Sequence, residues 1–115
     1  MFEYKAFVTK VYDGDTITVN IDLGFYTWKM KQKIRLASIN APEIRGEQRP
    51  QGLVSRDYLA SLILEKEVVI VTDQDKTGKY GRWIGTIYQI NEDGTLDTVS
   101  VNEKLVQQNL AEHYT

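Results

Sequence analysis

The chain has 115 residues, 42% hydrophobic and 26% charged, with a formal net charge of −2; this is the balance of a single globular domain over residues 1–115, without low-complexity linkers or repeats. It holds no cysteine and one histidine, which excludes disulfides, zinc ribbons and thiol nucleophiles, and no GxSxG or SxxK supports serine chemistry. Any catalysis must use carboxylates, guanidinium groups, phenols or a cation held by oxygen atoms.

From the N-terminus, residues 4–11 read as a strand, followed by Tyr12-Asp13-Gly14-Asp15-Thr16-Ile17. Asp-Gly between two alternating runs predicts a β-hairpin turn. Such a turn needs one carboxylate, and Asp15 is a second, leading into the strict alternation of Thr16–Asp22. After a Leu23-Gly24 break, Trp28, Met30, Ile34 and Leu36 continue a period of two through a third strand. Between Gln51 and Lys66, Val54, Tyr58, Leu59, Leu62 and Ile63 recur at helical spacing and predict one amphipathic helix.

Val68–Thr72 is a β-branched strand, residues 73–82 read as a Gly-containing loop, and Trp83–Ile90 is a fifth strand closed by Asn91-Glu92-Asp93-Gly94. Ser100-Val101-Asn102-Glu103 fits a capping box ahead of a second helix through Leu105 to about Ala111. The pattern is mostly β with two helices (α+β). It suggests a five-stranded Greek-key barrel of the OB type, with one helix between strands 3 and 4 and one at the C-terminus. Other α+β sheets fit the pattern as well.

The longest aliphatic run, Val68–Val71, is far too short to span a bilayer. The opening MFEYKAFV lacks the parts of a secretory leader. An intracellular location with no membrane association is expected, secretion requiring a leader removed from the chain. Charge is unevenly spread: residues 29–82 carry 11 Lys/Arg against 7 Asp/Glu, whereas the remainder carries 3 against 9. A locally positive middle segment can form a phosphate-facing groove on an acidic protein; on charge alone a mixed solvated surface explains the division as well.

Chemistry concentrates at strand ends and loops. Arg35 alternates with Ile34 and Leu36 and points to the face opposite theirs. In Asn40-Ala41-Pro42-Glu43 the proline biases Ala41 to an extended conformation, freeing its carbonyl as the chain leaves the sheet. The Asp15 carboxylate, Asn40 amide oxygen and Ala41 carbonyl together make a hard-oxygen cation site of the kind Ca²⁺ accepts. Taken alone, Asn40 and Pro42 also make an ordinary turn, with Glu43 a solvated charge. Lys79-Tyr80-Gly81-Arg82 presents a second arginine; two guanidinium groups on separate loops can clamp a phosphodiester, although for that motif alone a surface hairpin with a salt bridge is the better reading. With Glu43 ionised near neutral pH (reference pKa about 4.3), the set suffices for metal-assisted phosphodiester hydrolysis.

VYDGDTITVNID, RLASINAPE, DKTGKYGR and VNEKLVQQNLA, in that order through residues 5–114, resemble the staphylococcal (micrococcal) nuclease, or thermonuclease-like, family. The resemblance implies an OB-fold barrel and a Ca²⁺-dependent nuclease of little sequence specificity, acting on DNA and RNA, single strands preferred, and leaving 3′-phosphate ends. It implies that Asp15 and the Ala41 carbonyl bind Ca²⁺, with Asn40 where the family has an aspartate. Glu43 would be the general base, Arg35 and Arg82 would bind the scissile phosphate, Lys79 and Tyr80 a terminal phosphate, and Tyr114 would stack on a base. A monomer is expected. The alternative within the same resemblance is a non-catalytic OB domain that binds single-stranded nucleic acid or a protein partner.

Overall fold

The computed structural model describes residues 2–77 and 82–114, with the backbone alone for 73–77. Five strands close a barrel: β1 (Phe2–Asp13), β2 (Thr16–Asp22), β3 (Trp28–Leu36), β5 (Glu67–Thr77) and β6 (Trp83–Gln89). The order around the barrel is β1-β2-β3-β6-β5; β3 and β6 run parallel and every other pair is antiparallel. Helix α1 (Arg49–Ile63), preceded by a 3₁₀ turn at Gly46–Gln48, lies between β3 and β5 in the chain, and α2 (Val101–Gln107) follows β6. This is the OB arrangement, five strands with a helix between the third and fourth.

Alternation decides which residues fill the barrel. Ile17, Val19, Ile34, Leu36, Ile70 and Ile87 are almost fully buried, and Leu59, Ile63, Val101 and Leu105 of the helices close over them. Each fully buried aliphatic side chain of this kind stabilises the fold by about 1.5–3 kcal/mol. Arg35, as expected, faces away from Ile34 and Leu36. No helix among the described residues is long and apolar enough to cross a membrane.

Several boundaries differ from the sequence expectation. α1 begins at Arg49, where Pro50 suits the first helical turn, and stops at Ile63 ahead of Glu65, whose φ is +58°. α2 ends at Gln107, before Asn109 at φ +59°. β5 runs on to Thr77, five residues into the expected loop, its register against β6 shifting between Thr72 and Thr77. The capping box forms by half: Glu103 N–H donates to Ser100 Oγ at 3.0 Å, while the Glu103 carboxylate lies 3.5 Å from His113 Nε2. A two-residue pair, β4 (Ile39–Asn40) with β7 (Glu112–His113), is too short for any periodicity to announce.

The even period through β3 also breaks. Lys31 has φ +55° and the β2–β3 register slips between Val19 and Ile21, a bulge that changes the phase of the strand. Ile34 and Leu36 are therefore buried, whereas Trp28 and Met30 are 43% and 56% exposed. The hairpin tip is a type I′ turn, with Thr27 N–H donating to the Gly24 carbonyl at 2.9 Å and Phe25 and Tyr26 at φ +53° and +59°.

Candidate active site

The β1–β2 turn presents Asp15 as expected, but glycine is needed there for space. A Cβ on Gly14 would lie 2.7 Å from Ala41 Cβ and 2.8 Å from Ser55 Cβ, so the turn packs directly on the β4 segment and α1. That contact brings Asp15 beside Ala41. Asp15 is 7% exposed. Its Oδ2 accepts from Ala41 N–H at 2.9 Å and its Oδ1 from the Thr16 hydroxyl at 3.2 Å.

Arg35 supplies the compensating charge. One Nη donates to the Leu36 carbonyl at 2.9 Å. The other lies 3.5 Å from Asp15 Oδ2 and 3.4 Å from Asn40 Oδ1. Two oxygens expected to hold a cation thus converge on one positively charged group. Arg82, entering β6, reaches Thr16 Oγ1 at 3.5 Å.

Glu43 is exposed, and its backbone N–H is tied to Gln48 Oε1 at 3.0 Å. Its position depends on Gly52, where any Cβ would collide with the Glu43 carbonyl. Helix α1 can approach this loop only because residue 52 has no side chain.

Asp15, Arg35, Asn40, Ala41, Glu43 and Arg82 all line one open cleft of about 750 Å³. Tyr114 does not line it: its N–H donates to the Ser38 carbonyl at 2.8 Å, and its side chain is 60% exposed beside the β4–β7 pair. Lys79 and Tyr80 lie outside the described residues.

The cleft also holds residues that the motifs did not single out. Lys10 and Lys33 flank Thr18 in one cross-strand row and line the cleft with Arg45. Five cationic side chains there face three acidic ones, Asp13, Asp15 and Glu43. Only strand register could reveal the lysine pair. Asp13, read from the sequence as turn chemistry, both accepts from Asp15 N–H at 3.0 Å and lines the cleft. Burial, reinforced by the neighbouring Asp15 carboxylate, raises its pKa to about 6. The second carboxylate in Asp13-Gly14-Asp15 was the available signal.

Asn102 holds the segment that carries these groups. Its Oδ1 accepts from Ile87 N–H at 3.0 Å and its amide donates to the carbonyls of Ala37 at 2.9 Å and Gly85 at 3.3 Å. At 5% exposure it joins α2, β6 and the turn between β3 and β4, a buried amide with its bonding capacity used.

The family model described as staphylococcal nuclease homologue matches residues 33–115. Protein ParB of Escherichia coli is 34% identical over 86 residues, covering 75% of this chain and 42% of its own length. Probable staphylococcal-like nuclease CAN1 of Oryza sativa subsp. japonica is 35% identical over 86 residues, covering 74% of this chain and 22% of its own. Uncharacterized protein MJ1439 of Methanocaldococcus jannaschii is 28% identical, covering 96% of this chain and 59% of its own. The chain spans less than two thirds of each of these relatives.

Proposed function

The chain belongs to the staphylococcal nuclease homologue family, and from that premise we propose that it is a Ca²⁺-dependent nuclease of little sequence specificity, cleaving DNA or RNA to 3′-phosphate ends. The observation that carries the reading is the convergence of Asp15, Arg35, Asn40, Ala41, Glu43 and Arg82 on one cleft.

The donor set fits a hard cation. Asp15 Oδ2 and Asn40 Oδ1 already share one positive group, and oxygen donors of this mixed kind suit Ca²⁺. Asp15, Asn40 and the Ala41 carbonyl would hold it. Bound there, it would supply positive charge against the charge that builds on the phosphoryl oxygens.

The protein's own groups do the rest. Glu43, exposed at the rim and without a side-chain partner among the described residues, takes a proton from the attacking water. Water oxygen bonds to phosphorus as the bond to the 5′ oxygen breaks. The leaving oxygen takes a proton from solvent water in the open cleft and departs as a 5′ hydroxyl, and Glu43 gives its proton back to solvent. Arg35 and Arg82 bind the phosphoryl oxygens through planar, permanently charged guanidinium groups, and Arg82 also hydrogen-bonds the leaving oxygen. Lys79 and Tyr80 contact a terminal phosphate.

A non-cleaving OB domain is the second reading. It is favoured by Asn40, which brings an oxygen without a charge. Among the described residues there is also no group of three or more His, Cys, Asp or Glu disposed to hold a metal. Incubation of denatured DNA with wild type and Ca²⁺, with chelator, and with Glu43→Ala separates the two. The nuclease reading expects degradation in the first case and a loss of at least about 100-fold in the others, the scale of general base catalysis. No degradation in any arm, or degradation indifferent to both changes, overturns it.

A further inference from the structure

The outer face of β1–β3 continues past the cleft. Beyond the Lys10–Thr18–Lys33 row, Phe7 pairs with Asn20, and Asp22 pairs with Trp28. Phe7 is 38% exposed, Trp28 43% and Met30 56%; at the turn, Phe25 and Tyr26 are 99% and 101% exposed. Lys31 is exposed among them, whereas Lys29 pairs with the inward-facing Ile21 and turns to the opposite face, its Nζ 5.6 Å from the Trp83 ring centroid. Lys33 and Lys31, then the exposed aromatics Trp28, Phe25 and Tyr26, therefore follow one another along one ridge from the cleft to the hairpin tip.

Folding does not account for the tip. A type I′ turn favours Asn-Gly, because both central residues need positive φ; Phe25 and Tyr26 are bulky there and strained. Being fully exposed, they bury nothing in return. Backbone strain of this kind, when observed, points to a use for the side chains.

We propose that the β2–β3 hairpin is an extension of the binding surface for single-stranded nucleic acid. Phosphates follow Lys33 and Lys31, and bases stack on Trp28 and on the Phe25–Tyr26 tip. The chemistry matches on both counts: every base offers a face to an aromatic ring, and every linkage offers a charge to a lysine. The strand 2–3 face is also the surface on which OB folds receive oligonucleotides. From Arg35 to Trp28 is about 23 Å along the strand, so the ridge seats several nucleotides, within the 4–16 that one OB fold occupies. The inference takes its substrate class from the proposed function and is independent of cleavage.

The test measures binding by fluorescence anisotropy in chelator, using labelled single-stranded DNA of 4 and 16 nucleotides. Wild type should bind the longer probe more tightly. Replacing the tip pair with the residues the turn prefers, Phe25→Asn with Tyr26→Gly, should weaken 16-mer binding about tenfold and leave the 4-mer within twofold. The thermal midpoint of this variant should hold or rise, and Phe25→Ser provides a second variant with the other turn residue kept. Lys31→Gln should reduce the salt dependence of 16-mer binding by a slope of about 0.7. Unchanged 16-mer affinity in the tip variants overturns the proposal. So does a tip variant that loses binding to phosphatidylserine vesicles while keeping the 16-mer. Failure of the nuclease reading would show as absent cleavage in Ca²⁺, a separate measurement.

Discussion

Asn40 carries the sharpest consequence of a single residue. Its Oδ1 faces the same guanidinium nitrogen as the Asp15 carboxylate, so a charge added at position 40 would be felt by both a bound cation and Arg35. Attraction to a divalent ion is the larger effect, because the ion carries twice the charge and coordinates directly. Asn40→Asp should lower the Ca²⁺ concentration for half-maximal activity about tenfold, equivalent to about 1.4 kcal/mol. The Ca²⁺-dependent rise in thermal midpoint should move to lower concentration in parallel, and no movement in either would remove position 40 from the cation site.

Among the elements, α1 shows how packing overrules propensity. Glycine inside a helix ordinarily costs about 1 kcal/mol relative to alanine, so Gly52→Ala would stabilise an isolated helix. Here the added methyl meets the backbone of Glu43 and Ile44, and the helix must shift or the loop must move. Overpacking of this kind costs about 1–3 kcal/mol. Gly52→Ala should therefore lower the urea midpoint and reduce turnover through displacement of Glu43. A raised midpoint would show that the close approach does not constrain the loop. Gly14 serves the same purpose at the other side of the cleft, where the turn meets Ala41 and Ser55.

For the whole molecule, charge is organised against its own average. The chain carries a net −2, yet the cleft presents Lys10, Lys33, Arg35, Arg45 and Arg82. Binding of a single strand should depend on those local cations, with log K falling against log salt at a slope near −0.7 per phosphate neutralised. With three or four phosphates engaged, the slope should be about −2 to −3. A salt titration of oligonucleotide binding that gives a slope near zero would show that the cleft is not the phosphate-binding surface.

The amino-acid sequence by itself determined the five barrel strands, both helices and the Asp15, Arg35, Asn40, Ala41, Glu43 and Arg82 part of the cleft lining. Alternation in Thr16–Asp22, helical spacing around Leu59 and the RLASINAPE segment each carry their physics locally, in neighbours within a few residues. Tertiary structure alone decided the rest, because those facts depend on residues distant in the chain. Lys10 and Lys33 meet only through a shared register with Thr18. Gly14 and Gly52 are required by surfaces from elsewhere in the chain, and Asn102 bonds Ala37, 65 positions away. A single bulge at Lys31 turned Trp28 and Met30 out of the phase that buries Ile34 and Leu36. Periodicity cannot register one inserted residue, and that residue is what turns Trp28 and Met30 to the exposed face of the hairpin.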